Sequence, residues 1–195
     1  MSKEPPTKAT GLFSLPAELR NQVYDLVLQQ PKNTMIQIKS IGFTAPGLAL
    51  LRACKQIYHE ATPIFYTTNR FRVQIYKYDS DTALKFTELI HHVFPGNTKA
   101  RNAVQLYAHT NFLTEPSWKN LMVWLKRYHA REVHCSSPHL DVLRAKGLQE
   151  LVPHVVGGMF EAVKKCRAWK WEQVEDMLVI WRESLGTVDP RWMVG

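Results

Sequence analysis

Between Arg70 and Tyr76 the chain alternates strictly, with Phe71, Val73 and Ile75 on one side and Arg70, Arg72 and Gln74 on the other. A two-residue period of this kind is that of a half-buried β-strand. On both sides of it the apolar residues change to helical spacing. Leu19, Val23, Leu26 and Val27 follow Pro16 at i, i+4, i+7 and i+8, and Leu51, Cys54, Ile57, Tyr58 and Ala61 form a second stripe before Pro63. Trp171, Val174, Leu178, Trp181 and Leu185 repeat at three and four residues near the end of the chain, before Gly186. Strand and helix are therefore interleaved. An all-helical bundle and an all-β sandwich are both excluded, and the expected class is α+β: a mostly helical body with a small sheet.

The remaining elements follow from the same periods and from their stop signals. Ser14 is a candidate cap for the first helix, and Pro31 stands beyond its end. Ile36 and Ile38 alternate with Gln37 and Lys39, giving a short strand within Met35 to Phe43. Asp81 is placed to cap a helix bearing Leu84, Leu89, Ile90 and Val93, and Pro95-Gly96-Asn97 turns the chain into a strand through Val104 and Leu106. Trp118, Leu121, Met122, Leu125 and Tyr128 mark a further helix, Ser137-Pro138 is expected to cap a short one ending at Gly147, and Pro153 opens another through Phe160 and Val163. Pro63 is expected to end or kink the second helix, and Gly186 to stop the last. The sheet is expected from the strands near Met35, Phe71 and Val104.

A chain of 195 residues with 45% apolar and 22% charged residues has the composition of an ordinary globular domain. One domain is expected over residues 12–195 after a polar leader at 1–11 that contains Pro5-Pro6. Cys54, Cys135 and Cys166 are odd in number and far apart, as in a reducing compartment. No run reaches the roughly 18 apolar residues of a membrane span, and no glycosylation sequon occurs. The expected location is cytoplasmic or nuclear.

Two blocks in the first part of the chain carry a resemblance. Leu15-Pro16-Ala17-Glu18-Leu19-Arg20-Asn21-Gln22-Val23-Tyr24 is followed by Leu51-Arg52-Ala53-Cys54-Lys55-Gln56-Ile57-Tyr58-His59-Glu60-Ala61, and then by Phe65-Tyr66-Thr67-Thr68-Asn69-Arg70-Phe71. This ordered set resembles a large group of fungal F-box-like proteins, related to two-E-x-R domains. It covers roughly residues 12–76, with a weaker match at Trp124 to His129; residues 77–195 form a helical remainder. The resemblance implies F-box-like N-terminal helices that dock an apolar surface onto the linker subunit of a cullin-RING ubiquitin ligase. Leu15, Pro16, Leu19, Val23, Cys54, Ile57 and Tyr58 would be the partner contacts. The same residues also admit a purely structural reading. Pro16 pre-sets a first helical turn, Glu18 lies at the positive end of the helix dipole, and Leu19, Val23, Cys54 and Ile57 suit the seam between two packed helices.

The other candidate sites are weaker. Twenty-five Lys and Arg against 17 Asp and Glu give a net charge of +8, which suits an acidic partner, nucleic acid included. The charge is spread along the chain. Its densest aromatic-bearing run is Lys164-Lys165-Cys166-Arg167-Ala168-Trp169-Lys170-Trp171, so Lys164, Lys165, Arg167, Trp169 and Lys170 are the candidate nucleic-acid contacts. Against that, Trp171 has a place on the apolar stripe of the last helix. His129, His134, Cys135 and His139 form the densest group of potential metal ligands, but their spacing matches no common zinc pattern. His91-His92 suits a helix end. Glu172, Glu175 and Asp176 fall on the solvated flank of the last helix, and neither a nucleophile elbow nor a phosphate-binding glycine loop is present. The expectation is a non-catalytic protein-interaction module without metal or cofactor, with nucleic-acid binding through a basic surface as the alternative.

Overall fold

The structure is a computed structural model that describes residues 11–110, 115–135 and 151–194. Helix α1 spans Ala17–Leu28, strand β1 Ile36–Ile38, helix α2 Lys55–Thr68 and strand β2 Arg70–Ile75. Helices α3 (Asp81–Val93) and α4 (Thr98–Ala103) lead to strand β3, Gln105–Thr110. Helices α5 (Trp118–His129), α6 (Leu151–Lys165) and α7 (Trp171–Val188) follow, and a 3-10 turn at Pro190–Met193 ends the described chain. The fold is a mostly helical α+β arrangement with a small sheet.

All three strands run parallel in the order β1-β2-β3, with Ile36 beside Phe71 and Phe71 beside Leu106. Parallel neighbours need crossover connections. Here α2 supplies the first, and α3 with α4 the second. The alternation read in the sequence is realised in β2: Phe71, Val73 and Ile75 are fully buried, while Arg72 and Gln74 are half-buried. The inner face collects an aromatic cluster in which Phe71 lies 5.0 Å from Phe86 and 5.7 Å from Phe65. The outer face carries Gln37, Arg72, Gln74, Gln105, Tyr107 and His109. Parallel sheets are usually covered on both faces; this one is buried on one.

A second layer is built by α5, α6 and α7. Trp124 is fully buried 4.7 Å from Phe160, and its indole N–H donates to the Cys135 carbonyl. Val174, Leu178 and Leu185 of α7 are buried, as their spacing predicts. The layers join in one contiguous core. The final turn closes the join by setting the buried Trp192 ring 4.9 Å from Tyr78, while Arg127 of α5 donates to Ser80 and Asp81 at the start of α3.

Several local expectations are corrected. Cys54 is not inside the second helix but caps it, accepting the Ile57 N–H on Sγ, and residues Leu48–Arg52 form a separate 3-10 turn. Pro63 neither ends nor breaks α2. The helix runs through it to Thr68 because Phe65 and Tyr66, one turn on, are held in the aromatic core, and burial of two rings outweighs the roughly 3 kcal/mol cost of an interior proline. Gly186 does not stop α7 but lies within it, where its missing side chain makes room for Met193: a Cβ would fall 2.7 Å from Met193 Cγ. Ser14 does not cap α1; it bonds Gly11 within a 3-10 turn, and Pro16 occupies the capping position. Ser80 rather than Asp81 precedes α3, and Asp81 is its first residue. Helix α4 is short and carries no apolar period that would mark it in the sequence. The expected helix from Ser137-Pro138 to Gly147 lies outside the described residues.

Candidate functional site

Helix α1 is held down by one side and apolar on another. Its inward side carries Arg20, Tyr24 and Leu28, the last two fully buried. Glu60 of α2 receives Arg20 Nε at 2.8 Å, Arg20 Nη2 at 2.7 Å, the Tyr24 hydroxyl at 2.9 Å and Gln56 Nε2 at 3.0 Å. A two-pronged guanidinium on a carboxylate is the strongest side-chain pairing available at such a seam. The bonds from Arg20 and then Gln56 hold the Glu60 carboxyl at about 2, far below its ordinary value, and Glu60 in turn raises Arg20. Burial first, then Glu60, raises the Tyr24 phenol. Arg20, Tyr24 and Glu60, all within the blocks that carry the family resemblance, thus form the latch between α1 and α2.

The apolar stripe of α1 points elsewhere. At ~100° per residue, Leu19, Val23 and Leu26 fall within roughly 60° of one another, and Tyr24 and Leu28 sit some 130–170° further round. Leu19 is 44% exposed, Leu26 84% and Val27 45%; Val23 is half-buried. Leu15 is half-buried and Pro16 exposed at the helix entrance, next to an exposed Phe13. The stripe that suggested a core-facing helix is therefore a solvent-facing one.

The seven expected partner contacts separate accordingly. Leu15, Pro16, Leu19 and Val23 lie along or at the start of this outer face, and Leu26 and Val27 extend it, two residues present in the sequence stripe but not among the expected contacts. Cys54 at the cap of α2 and Tyr58 within it are exposed, and Tyr58 borders a cleft with Pro63, His92 and Pro95. Ile57 is only 7% exposed; it belongs to the core and is removed from the contact set.

The basic run is divided by the fold. Lys164 and Lys165 end α6, with Lys164 paired to Glu161 at 3.6 Å, and the Arg167 guanidinium lies 5.0 Å over the Tyr128 ring. Trp171 is half-buried beside His129. Trp169 is half exposed, and Lys170, at the start of α7, donates its N–H to the Gln173 side chain. Lys165, Trp169 and Lys170 stay exposed, at the end of α6 and the start of α7.

Among the described residues no three His, Cys, Asp or Glu side chains approach closely enough to hold a metal; His139 lies outside them. Cys135 is buried, which pushes its thiol up to about 12. Glu172, Glu175 and Asp176 are exposed on α7. No helix among the described residues is long and apolar enough to cross a membrane. Compared with protein families, with curated proteins and with solved structures, the chain matches none.

Proposed function

We propose that the chain is a non-catalytic protein-interaction module of the fungal F-box-like kind, acting in the cytoplasm or nucleus. In this reading α1 docks on the linker subunit of a cullin-RING ubiquitin ligase through Leu19, Val23, Leu26 and Val27. The observation that carries the proposal is the orientation of α1: its polar latch faces α2 and its apolar stripe faces solvent. An amphipathic helix presenting anchors at i, i+4, i+7 and i+8 is a recurrent mode of helix-in-groove recognition. Covering the exposed parts of Leu19, Leu26 and Val27 removes enough apolar surface for about 3–5 kcal/mol of gross stabilisation. That is hot-spot scale.

The test is a pull-down from fungal extract with the intact chain and with a Leu19→Asp, Leu26→Asp double variant, whose fold is checked by circular dichroism. Recovery of the ligase linker subunit by the intact chain and its loss with the folded variant supports the proposal. Equal recovery by both refutes it, as does recovery of nucleic acid in place of the linker subunit.

A further inference from the structure

A cavity of about 410 Å³ opens between α3, α4 and β3. Its floor is apolar, made by buried Phe86 and Ile90 of α3 and by half-buried Val104 and Leu106. Its polar wall consists of Arg101 at the end of α4, the side-chain amides of Asn102 and Gln105, and the imidazole of His134 from the segment after α5. No carboxylate of the described residues lines it.

Two observations give this wall its character. The Arg101 Nε is buried with no acceptor among the described residues. A buried donor of a charged group left unpaired costs about 1–3 kcal/mol or more, a cost that an oxyanion reaching this guanidinium from the cavity it lines would offset. The second observation is the crowding of positive charge around His134. Its ring meets His91 at 6.2 Å. Although much of the residue faces solvent, loss of hydration around the ring, and then His91, Arg167, Arg101 and Arg131, lower its proton affinity below the ordinary value. All four neighbours act in the same direction. Arg167 likewise has a buried Nε without an acceptor among the described residues.

We infer that this cavity binds a small organic anion: an apolar or aromatic body seated on Phe86, Ile90 and Leu106, with a phosphate or carboxylate at the Arg101 and His134 wall. An apolar cleft with a few convergent polar groups is the usual form of a small-ligand site. Guanidinium is the side chain best shaped to hold either oxyanion by two parallel bonds. The inference does not depend on α1, which contributes no residue to the cavity.

The experiment titrates the intact chain with phenyl phosphate and, separately, with benzoate, and follows backbone amide resonances. Saturable shifts at Leu106, Tyr107 and His134 are expected with at least one of the two anions, and which anion binds more tightly assigns the oxyanion. Arg101→Gln is expected to weaken that binding at least tenfold. His134→Gln, at an exposed position, is expected to weaken it severalfold and serves if Arg101→Gln does not fold. A Lys164→Gln, Lys165→Gln variant, which lowers the net charge by two without changing a lining residue, is expected to bind as the intact chain does. Absence of saturable shifts with both anions, unchanged affinity in the folded cavity variants, or an equal loss in the lysine variant would overturn the inference.

Discussion

Asn69 is buried to 3% exposure, and each arm of its amide has a partner. Nδ2 donates to the Leu28 carbonyl at 3.0 Å and to the Phe65 carbonyl at 2.9 Å, and Oδ1 accepts the Gln30 N–H at 2.8 Å. One side chain thus ties the end of α1 to the end of α2, just before β2 begins. Asn69→Ala removes all three bonds: the Phe65 carbonyl and the Gln30 N–H lose this partner, and the Leu28 carbonyl keeps only the Gln30 side-chain amide at 3.2 Å. At about 1 kcal/mol net for each bond, the loss is roughly 3 kcal/mol. For a chain of this length that lowers the melting temperature by roughly 6–12 °C. Asn69→Asp is the sharper variant, because an ionised carboxylate keeps the acceptor for the Gln30 N–H but puts a lone-pair-bearing oxygen in the place of Nδ2, against two carbonyls. With that single oxygen in the place of Nδ2, it is expected to be at least as damaging at neutral pH and to recover in part on acidification, when the protonated acid regains a donor. Urea unfolding followed by circular dichroism gives the free energies, with an unchanged slope confirming that the native state alone is affected. A loss below about 1 kcal/mol in both variants would refute the reasoning, since that is the range of ordinary surface substitutions.

Glycine positions give a second contrast: Gly47 has φ +77° and a Cβ there would lie 2.6 Å from the Val27 carbonyl oxygen, whereas at Gly186 the obstacle is the flexible end of Met193. Gly47→Ala is expected to cost more than ~2 kcal/mol, and Gly186→Ala to change stability by less than ~1 kcal/mol because the better helix propensity of Ala offsets the displaced side chain; thermal melts separate the two. Glu60 has a folded-state pKa of about 2 against an ordinary 4.5, a depressed carboxylate, so its contribution is complete above pH 4.5 and is lost as the pH falls toward about 2. Glu60→Gln should therefore flatten the fall in stability across that window, and an undiminished fall, measured by denaturant unfolding at several pH values, would remove Glu60 as its source. Ile57→Asp should prevent stable folding by placing an unpaired charge in the core, whereas Leu19→Asp should change stability by no more than ~0.5 kcal/mol; unfolding of the Leu19 variant would put that residue in the core instead.

Much of the architecture is readable from periodicity, and the misreadings share a cause. The alternation of Phe71, Val73 and Ile75 identifies the central strand, and the spacing of Trp171, Val174, Leu178 and Leu185 identifies α7, because in both the apolar side is the side that is covered. In α1 it is not. There the covered side holds Arg20 and Tyr24, whose polar ends are satisfied by Glu60 forty and thirty-six positions away, a pairing that local spacing does not encode. Pro63 marks a helix end by local rules, and tertiary burial of Phe65 and Tyr66 overrides it. Parallel pairing is likewise invisible, since alternation gives a strand's two faces and not its neighbour's direction. The proposed anion cavity depends on Arg101 and His134, which line it from positions thirty-three residues apart, and nothing in either local sequence points to the other.

The outward face of α1 is the central claim, and the binary affinity of the purified chain for the purified ligase linker subunit tests it most directly. Calorimetric titration of the intact chain and of the Leu19→Asp, Leu26→Asp variant, each at low and at high salt, separates an apolar contact from a charge-driven one. The account predicts saturable binding that is nearly insensitive to salt and at least a hundredfold weaker in the variant, consistent with the loss of about 3 kcal/mol of apolar contact. Binding that is unchanged in the folded variant, or that vanishes with salt in the intact chain, would contradict it.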